Sequence, residues 1–194
     1  MGTLLNRRRY IGGSSLPYDA EVEYVVTIRD GILTTTINNA DIGFYRVVKQ
    51  IASQPSGNYG DGGYVSTPRF YGAIGYAKSG LGMQWGPSGT DKKILDFDTD
   101  WHTFELDVIN KTGTIDSTTV SLTITTVSSF FGINNYQPNR GIGTKYKSAE
   151  VYDMNMNKIL DLMPVRVGQQ GAFYDKVSES LMGVGVFTAG PDKT

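Results

Sequence analysis

Hydrolysis of a glycosidic bond needs two carboxyl groups facing one cleft, about 5.5 Å apart when one acts as acid and the other as nucleophile. Side chains on a strand alternate, so a working pair must be an even number of residues apart. The stretch AEVYDMN offers Glu150 and Asp153, which are three apart and fall on opposite faces of a regular strand. Asp96, Asp98 and Asp100 in LDFDTDW do have even spacing, but they stand among turn formers. They read as a solvated turn leading into a strand at Trp101. The sharper alternative is a calcium site, since hard cations take clustered carboxylates and carbonyls. His102 is the only histidine and there is no cysteine, so any Ser-His-Asp or Cys-His arrangement would have to be built around His102. It lies in line with Phe104 and Leu106 and reads as a core or edge strand residue, not as a general base.

Two loops have the composition of binding loops, in which tyrosine supplies rigid contact area and small polar residues supply adaptable hydrogen bonds. GNYGDGGY (57–64) lacks the Gly-Lys-Ser/Thr ending of a phosphate loop. GINNYQPNRG (132–141) has the same character. Sugars stack on aromatic rings and hydrogen-bond to amides, so Tyr59, Tyr64, Asn134, Asn135, Tyr136 and Arg140 are the candidate glycan-binding residues. The plain alternative is that both segments are surface turns.

The elements that must carry these residues are strands. Twenty-four glycines and twelve tyrosines, with abundant Thr and Ser, favour strands and tight turns over helices. In YDAEVEYVVTI, Val22, Tyr24, Val26 and Ile28 alternate with Glu21, Glu23 and Thr27, the period of a half-buried strand. Asp30-Gly31 marks a turn before ILTTTI, and GFYRVVKQIAS reads as a strand whose spacing also allows a short helix. QPSGNYGDGGY (54–64) reads as a loop. RFYGAIGYA, GLGMQWG, WHTFELDVI, STTVSLTITT and SSFFGINN are further short runs, with Phe104, Leu106 and Val108 facing the core and Glu105 and Asp107 facing water. YKSAEVYDM and KILDLMPVRV flank a hairpin tip at DMNMNK (153–158), and GAFYDKV and GVGVFTAG close the chain. Ten or more strands at this spacing, without a fixed repeat, predict an all-β, two-sheet antiparallel sandwich or jelly roll.

A chain of 194 residues reads as one domain. Residues 1–17 form an arm, with Arg7, Arg8 and Arg9 before a GGSSLP hinge, and residues 18–194 form the sandwich. The arm reads either as a solvated tail or as a tether that orders against an acidic groove of a neighbour. The arginines could open a signal peptide, but YIGGSSLPYD is no apolar core for one. Any exit from the cell is then expected by another route, such as host lysis. The absence of cysteine suits folding in a reducing cytosol. A net charge of −1 draws neither nucleic acid nor an anionic membrane, and no stretch approaches the ~20 apolar residues that span a bilayer.

The C-terminal third, KYKSAEVYDMNMNKILDLMPVRVGQQGAFYDKVSESLMGVGVFTAGPD, resembles the end of a concanavalin A-like, laminin-G-like lectin domain. That form is found in proteins of Bacteroidales bacteria and of their phages, the crAss-like group included. The elements are a strand ending in Tyr152-Asp153, a reverse turn, LMPVRV (162–167), FYDKVS (173–178) and GVFTAGPD (185–192). LPYDAEVEYV (16–25) resembles the opening of such domains and DWHTFELDV (100–108) their central strand. The text VVTIRDGILTTT departs from the usual Ser-Thr-Gly-Thr-Gln continuation. The resemblance implies a jelly roll in which FYDKVS and VGVFTAG are strands, SLMG is the turn region, and the last strand covers an open sheet edge beside the N-terminal strand. It also implies a non-catalytic protein without a resident cofactor. The expected role is a surface-displayed structural component of a bacteriophage virion, a head fibre, decoration or tail-associated protein. It would be held by its arm to other virion proteins, be homo-oligomeric, and contact host surface polysaccharide. The alternative is a carbohydrate-binding adhesion module on a gut bacterium's surface; a glycoside hydrolase stands behind both.

Overall fold

The computed structural model describes residues 16–28, 31–53, 59–61, 70–77, 80–87, 90–125, 129–133 and 142–194. The strands are β1 (Ala20–Glu21), β2 (Val25–Thr27), β3 (Leu33–Asn38), β4 (Ile42–Gln50), β5 (Tyr59–Asp61), β6 (Phe70–Ala77), β7 (Gly80–Pro87) and β8 (Lys92–Asp96). They continue with β9 (Trp101–Asp107), β10 (Thr112–Ile115), β11 (Thr118–Ser121), β12 (Phe130–Ile133), β13 (Lys145–Asp153), β14 (Lys158–Val167), β15 (Gln170–Asp175) and β16 (Ser180–Ala189). Among the described residues the only helical turn is a 3-10 turn at Asn39–Asp41, so the chain is all-β, and no helix is long and apolar enough to cross a membrane.

Ten strands form one antiparallel sheet in the order β1-β14-β15-β16-β2-β13-β4-β9-β10-β11. A four-stranded sheet, β5-β6-β7-β8, and a two-stranded ladder, β12-β3, complete the β-sandwich-like build. Alternation does the sorting. Along β9, His102, Phe104 and Leu106 are buried while Trp101, Thr103, Glu105 and Asp107 are half-exposed, as the spacing of WHTFELD predicts. The buried side chains of β4, β9 and β13 meet Leu81, Met83 and Trp85 of β7 in one core. The layers approach closely at Gly113 of β10, where an added Cβ would lie 2.8 Å from the Met83 sulfur.

One edge of β13 is shared. Its start pairs with β2 and its end with β14, while its other edge pairs with β4. Because β14 pairs on with β15, β15 with β16 and β16 with β2, these five strands close a ring. Phe173 fills it, with Phe187 at 5.2 Å and Tyr146 at 6.5 Å between ring centroids, both edge-to-face.

Several expectations change. The strand read through Val22, Tyr24, Val26 and Ile28 is broken at Glu23-Tyr24, so Val22, Val25 and Thr27 are buried and Tyr24 and Val26 turn outward. The cause is the far end of the chain: the Glu23 N–H donates to the Pro191 carbonyl and the Gly190 N–H to the Tyr24 carbonyl, which bends the chain between β1 and β2. The short-helix alternative for GFYRVVKQIAS gives way to β4, since its neighbours on both sides supply a full ladder. The stretch 54–64, read as loop throughout, contains β5, which pairs with β6. SLMG is strand, not turn; the turn is Lys176–Glu179, tied by Asp175, whose Oδ1 accepts the Val177 N–H at 3.1 Å and whose Oδ2 accepts the Ser178 N–H at 3.2 Å. The last strand does not cap an edge either, because β16 lies between β15 and β2. The two ends of the domain do meet: Val22 bridges Asp192, and Lys193 N–H donates to the Glu21 carbonyl at 2.9 Å.

Within β16, Gly183 has φ +69°, and a Cβ there would stand 2.8 Å from Cε2 of buried Phe187. Gly183→Ala should therefore cost about 1–3 kcal/mol, read as a lower urea midpoint with an unchanged m-value.

Candidate functional site

The most unusual chemistry lies inside. On β4, Tyr45, Val47 and Lys49 share the inward face, and Asp61 of β5 reaches them from the opposing layer. The Lys49 Nζ donates to Asp61 Oδ2 at 2.7 Å, with the two side chains only 1% and 0% exposed. Tyr45 Oη–H donates to the same Oδ2 at 3.1 Å, and Tyr146 Oη–H of β13 donates to Oδ1 at 2.9 Å. The Lys49 nitrogen is 5.1 Å from the Phe104 ring centroid and 5.6 Å from that of Tyr146. Phe131 of β12 closes the shell edge-on to Tyr45 at 4.8 Å.

Burial dominates the electrostatics. It pushes the Lys49 ammonium below its ordinary pKa, against the pull of the Asp61 charge. Burial, and then the Asp61 charge, push both phenols well above theirs, so Tyr45 and Tyr146 stay protonated and serve as donors.

Sequence reasoning missed this cluster. Lys49 carried a signal, since it has the parity of Tyr45 and Val47 on a strand whose other face holds Arg46. Asp61 carried none, lying between glycines in GNYGDGGY.

His102 is buried on the inner face, as read, but it is also paired. Its Nδ1 lies 2.7 Å from Asp116 Oδ2 and its Nε2 lies 2.7 Å from Asp98 Oδ1. Asp116 sits at φ +53° in the two-residue turn joining β10 to β11, and its Oδ1 also accepts the Thr103 N–H. Burial pushes the imidazole pKa down, yet the hydrogen bonds and charges of Asp98 and Asp116 more than offset it and leave it raised. The hydrogen bond from His102 holds the Asp98 carboxyl below its usual value. Because the folded state favours the imidazolium, this stabilisation is complete below about pH 6.5 and is lost as pH rises through the folded pKa. Denaturant midpoints should fall across that window in the parent and fall less steeply in Asp116→Asn.

The predicted acidic residues are spread apart. Asp98 is engaged with His102, Asp96 pairs with Lys93, and the Asp100 N–H donates to Asp98 Oδ1. No group of three or more His, Cys, Asp or Glu suited to a metal ion occurs among the described residues. Glu150 faces outward in a lattice with Lys158 at 2.8 Å, Arg46 at 3.6 Å and the Tyr152 hydroxyl at 3.2 Å. Asp153 caps the hairpin tip, its Oδ1 accepting the N–H groups of Asn155 and Asn157. The structure thus does not bring Glu150 and Asp153 together.

Of the candidate glycan residues, Tyr59 lies on β5. Its side chain, and Tyr64, Asn134, Asn135, Tyr136 and Arg140, lie outside what the structure describes, as do Arg7, Arg8 and Arg9 of the arm. Another aromatic surface is present on the outer face of the large sheet. Tyr24 and Trp101 stand 5.7 Å apart between centroids, with Lys145 Nζ 5.1 Å from the Tyr24 ring and Lys147 Nζ 4.2 Å from the Trp101 ring. Both rings are half-exposed. The outward turn of Tyr24, produced by the break at Glu23, makes this ledge.

No family model matches the chain, and no curated protein or solved structure matches it.

Proposed function

We propose that this chain is a non-catalytic structural component of a bacteriophage virion, a concanavalin A-like jelly roll displayed on the particle and contacting host surface polysaccharide. The observation that carries the contact is the Tyr24–Trp101 ledge with Lys145 and Lys147 at its rings. Aromatic faces receive the apolar faces of sugars, and two ammonium groups beside them suit a glycan bearing carboxylates. The display geometry rests on the paired ends of the domain. The Arg166 guanidinium holds Asp192, and Asp19 accepts the Gly168 N–H, so β1 and the C-terminus are fastened at one place. An arm entering before β1 would hold the domain from that place. Many copies on one particle convert weak contacts into avidity.

The test has two arms. Antibody against the chain should label intact particles of a phage that encodes it, and the purified protein should bind acidic capsular polysaccharide. Trp101→Ala should weaken that binding about tenfold, ~1.4 kcal/mol, with unchanged thermal stability. Absence from washed particles would overturn the virion assignment, and recovery from the bacterial surface would favour an adhesion module. Equal binding by parent and Trp101→Ala would remove the ledge from the reading.

A further inference from the structure

The buried pair of Lys49 and Asp61 has the geometry of two reactants. We propose that the Lys49 side-chain amine and the Asp61 side-chain carboxyl condense within the folded protein to an isopeptide bond that joins the large sheet to the four-stranded one.

The argument begins from solvation. An ammonium and a carboxylate removed from water each lose several kcal/mol of hydration, which their attraction only partly returns. In this shell of Phe104, Tyr146, Tyr45 and Phe131, moving one proton from Nζ to the carboxyl relieves both charges. The result is a neutral amine beside a carboxylic acid, and burial already lowers the Lys49 pKa in that direction. The Nζ is 2.7 Å from Oδ2, so the carboxyl carbon is one bond away, and the two strands hold the groups together. Such fixed placement replaces a bimolecular encounter by an intramolecular one.

The two phenols supply the remaining chemistry. When Nζ adds to the Asp61 Cγ, negative charge develops on a carboxyl oxygen, and hydroxyl donors already stand on both oxygens, Tyr146 on Oδ1 and Tyr45 on Oδ2. The C–N bond forms, one C–O bond breaks, and the departing oxygen takes its two protons from the former ammonium. The ammonium and carboxylate together become one amide and one water. No oxidant, reductant or co-reactant enters. The bond would link residues twelve apart in sequence but in different layers.

The experiment is the intact mass of the denatured full-length protein, followed by fragmentation of a proteolytic digest. The expected result is a mass lower than the sequence by one water, with a branched peptide joining Lys49 to Asp61. Lys49→Arg and Asp61→Ala should each restore the full mass. The Asp61-Gly62 sequence offers another way to lose water, by cyclisation of Asp61 onto its own backbone. Water loss that persists in Lys49→Arg, or that maps to a linear peptide, would assign the loss to that route and overturn the proposal. A parent of full mass with unlinked Lys49 and Asp61 peptides would overturn it outright. Failure to label particles in the test of function leaves this inference untouched, since it depends only on the interior.

Discussion

A chain ending at Glu179 should not fold. The truncation removes β16, which pairs along β15 on one side and along β2 on the other. Its loss leaves two unpaired edges inside the large sheet, not one at its rim, and it opens the five-stranded ring. Phe187 is lost, and Phe173, fully buried in the intact protein, faces water. The bridge of Val22 to Asp192 goes too, which leaves β1 paired with β14 alone. A domain of this size has a net stability of about 5–15 kcal/mol, and uncovering a core of this extent exceeds it. Circular dichroism should show no cooperative thermal transition in the truncated chain, which should collect in the insoluble fraction. A soluble product with a sharp transition would mean that the ring is not needed by the rest of the sheet.

The second large effect belongs to Asp61. Asp61→Leu leaves Lys49 in a shell of rings without its carboxylate and takes the acceptor from the Tyr45 and Tyr146 hydroxyls. In protein that has not condensed, breaking the buried pair at one partner costs about 3–5 kcal/mol, because Lys49 loses the Asp61 charge; in condensed protein the variant also loses the cross-link, so the effect is at least as large. Lys49→Met alone should cost less than Asp61→Leu, since the two tyrosine donors still face Asp61. The double variant Lys49→Met/Asp61→Leu should recover part of the loss, because it buries no charge; a positive coupling energy between the sites in urea denaturation is the signature. Strict additivity would mean that the two side chains do not act on each other. The same comparison bears on the purpose of the pair. A buried ion pair is a poor source of stability compared with packed apolar side chains, and here it spans the two layers of the fold.

The sequence carried the class of structure in its local periodicity. The alternation of WHTFELD placed Phe104 and Leu106 inside with Glu105 and Asp107 outside, and the DMNMNK hairpin stood where Asp153, Asn155 and Asn157 tie the chain back on itself. Those features depend on residues within a few positions of each other. The facing of Tyr24 depends instead on Pro191 and Gly190, which arrive from the far end of the chain and bend the strand. A simple count by twos ran through that bend and turned Val26 the wrong way.

The candidate sites divide along the same line. Lys49 is a cation on the apolar parity of its strand, but nothing local names its partner. Asp61 lies in a glycine-rich stretch with no periodicity, and only the docking of β5 against β4 and β13 makes it an acceptor for Lys49, Tyr45 and Tyr146. His102 was legible as an inward strand residue, whereas its pairing with Asp116 needed the β10–β11 turn to fold back beside β9. By itself, then, the amino-acid order determined that the chain is all-β and which residues of each unbroken strand are apolar on one side. Tertiary structure alone decided the order of the strands, the inward place of the closing one and the meeting of Lys49 with Asp61. Those outcomes are set by contacts between distant segments, whose free energy appears only once the layers close and water is excluded.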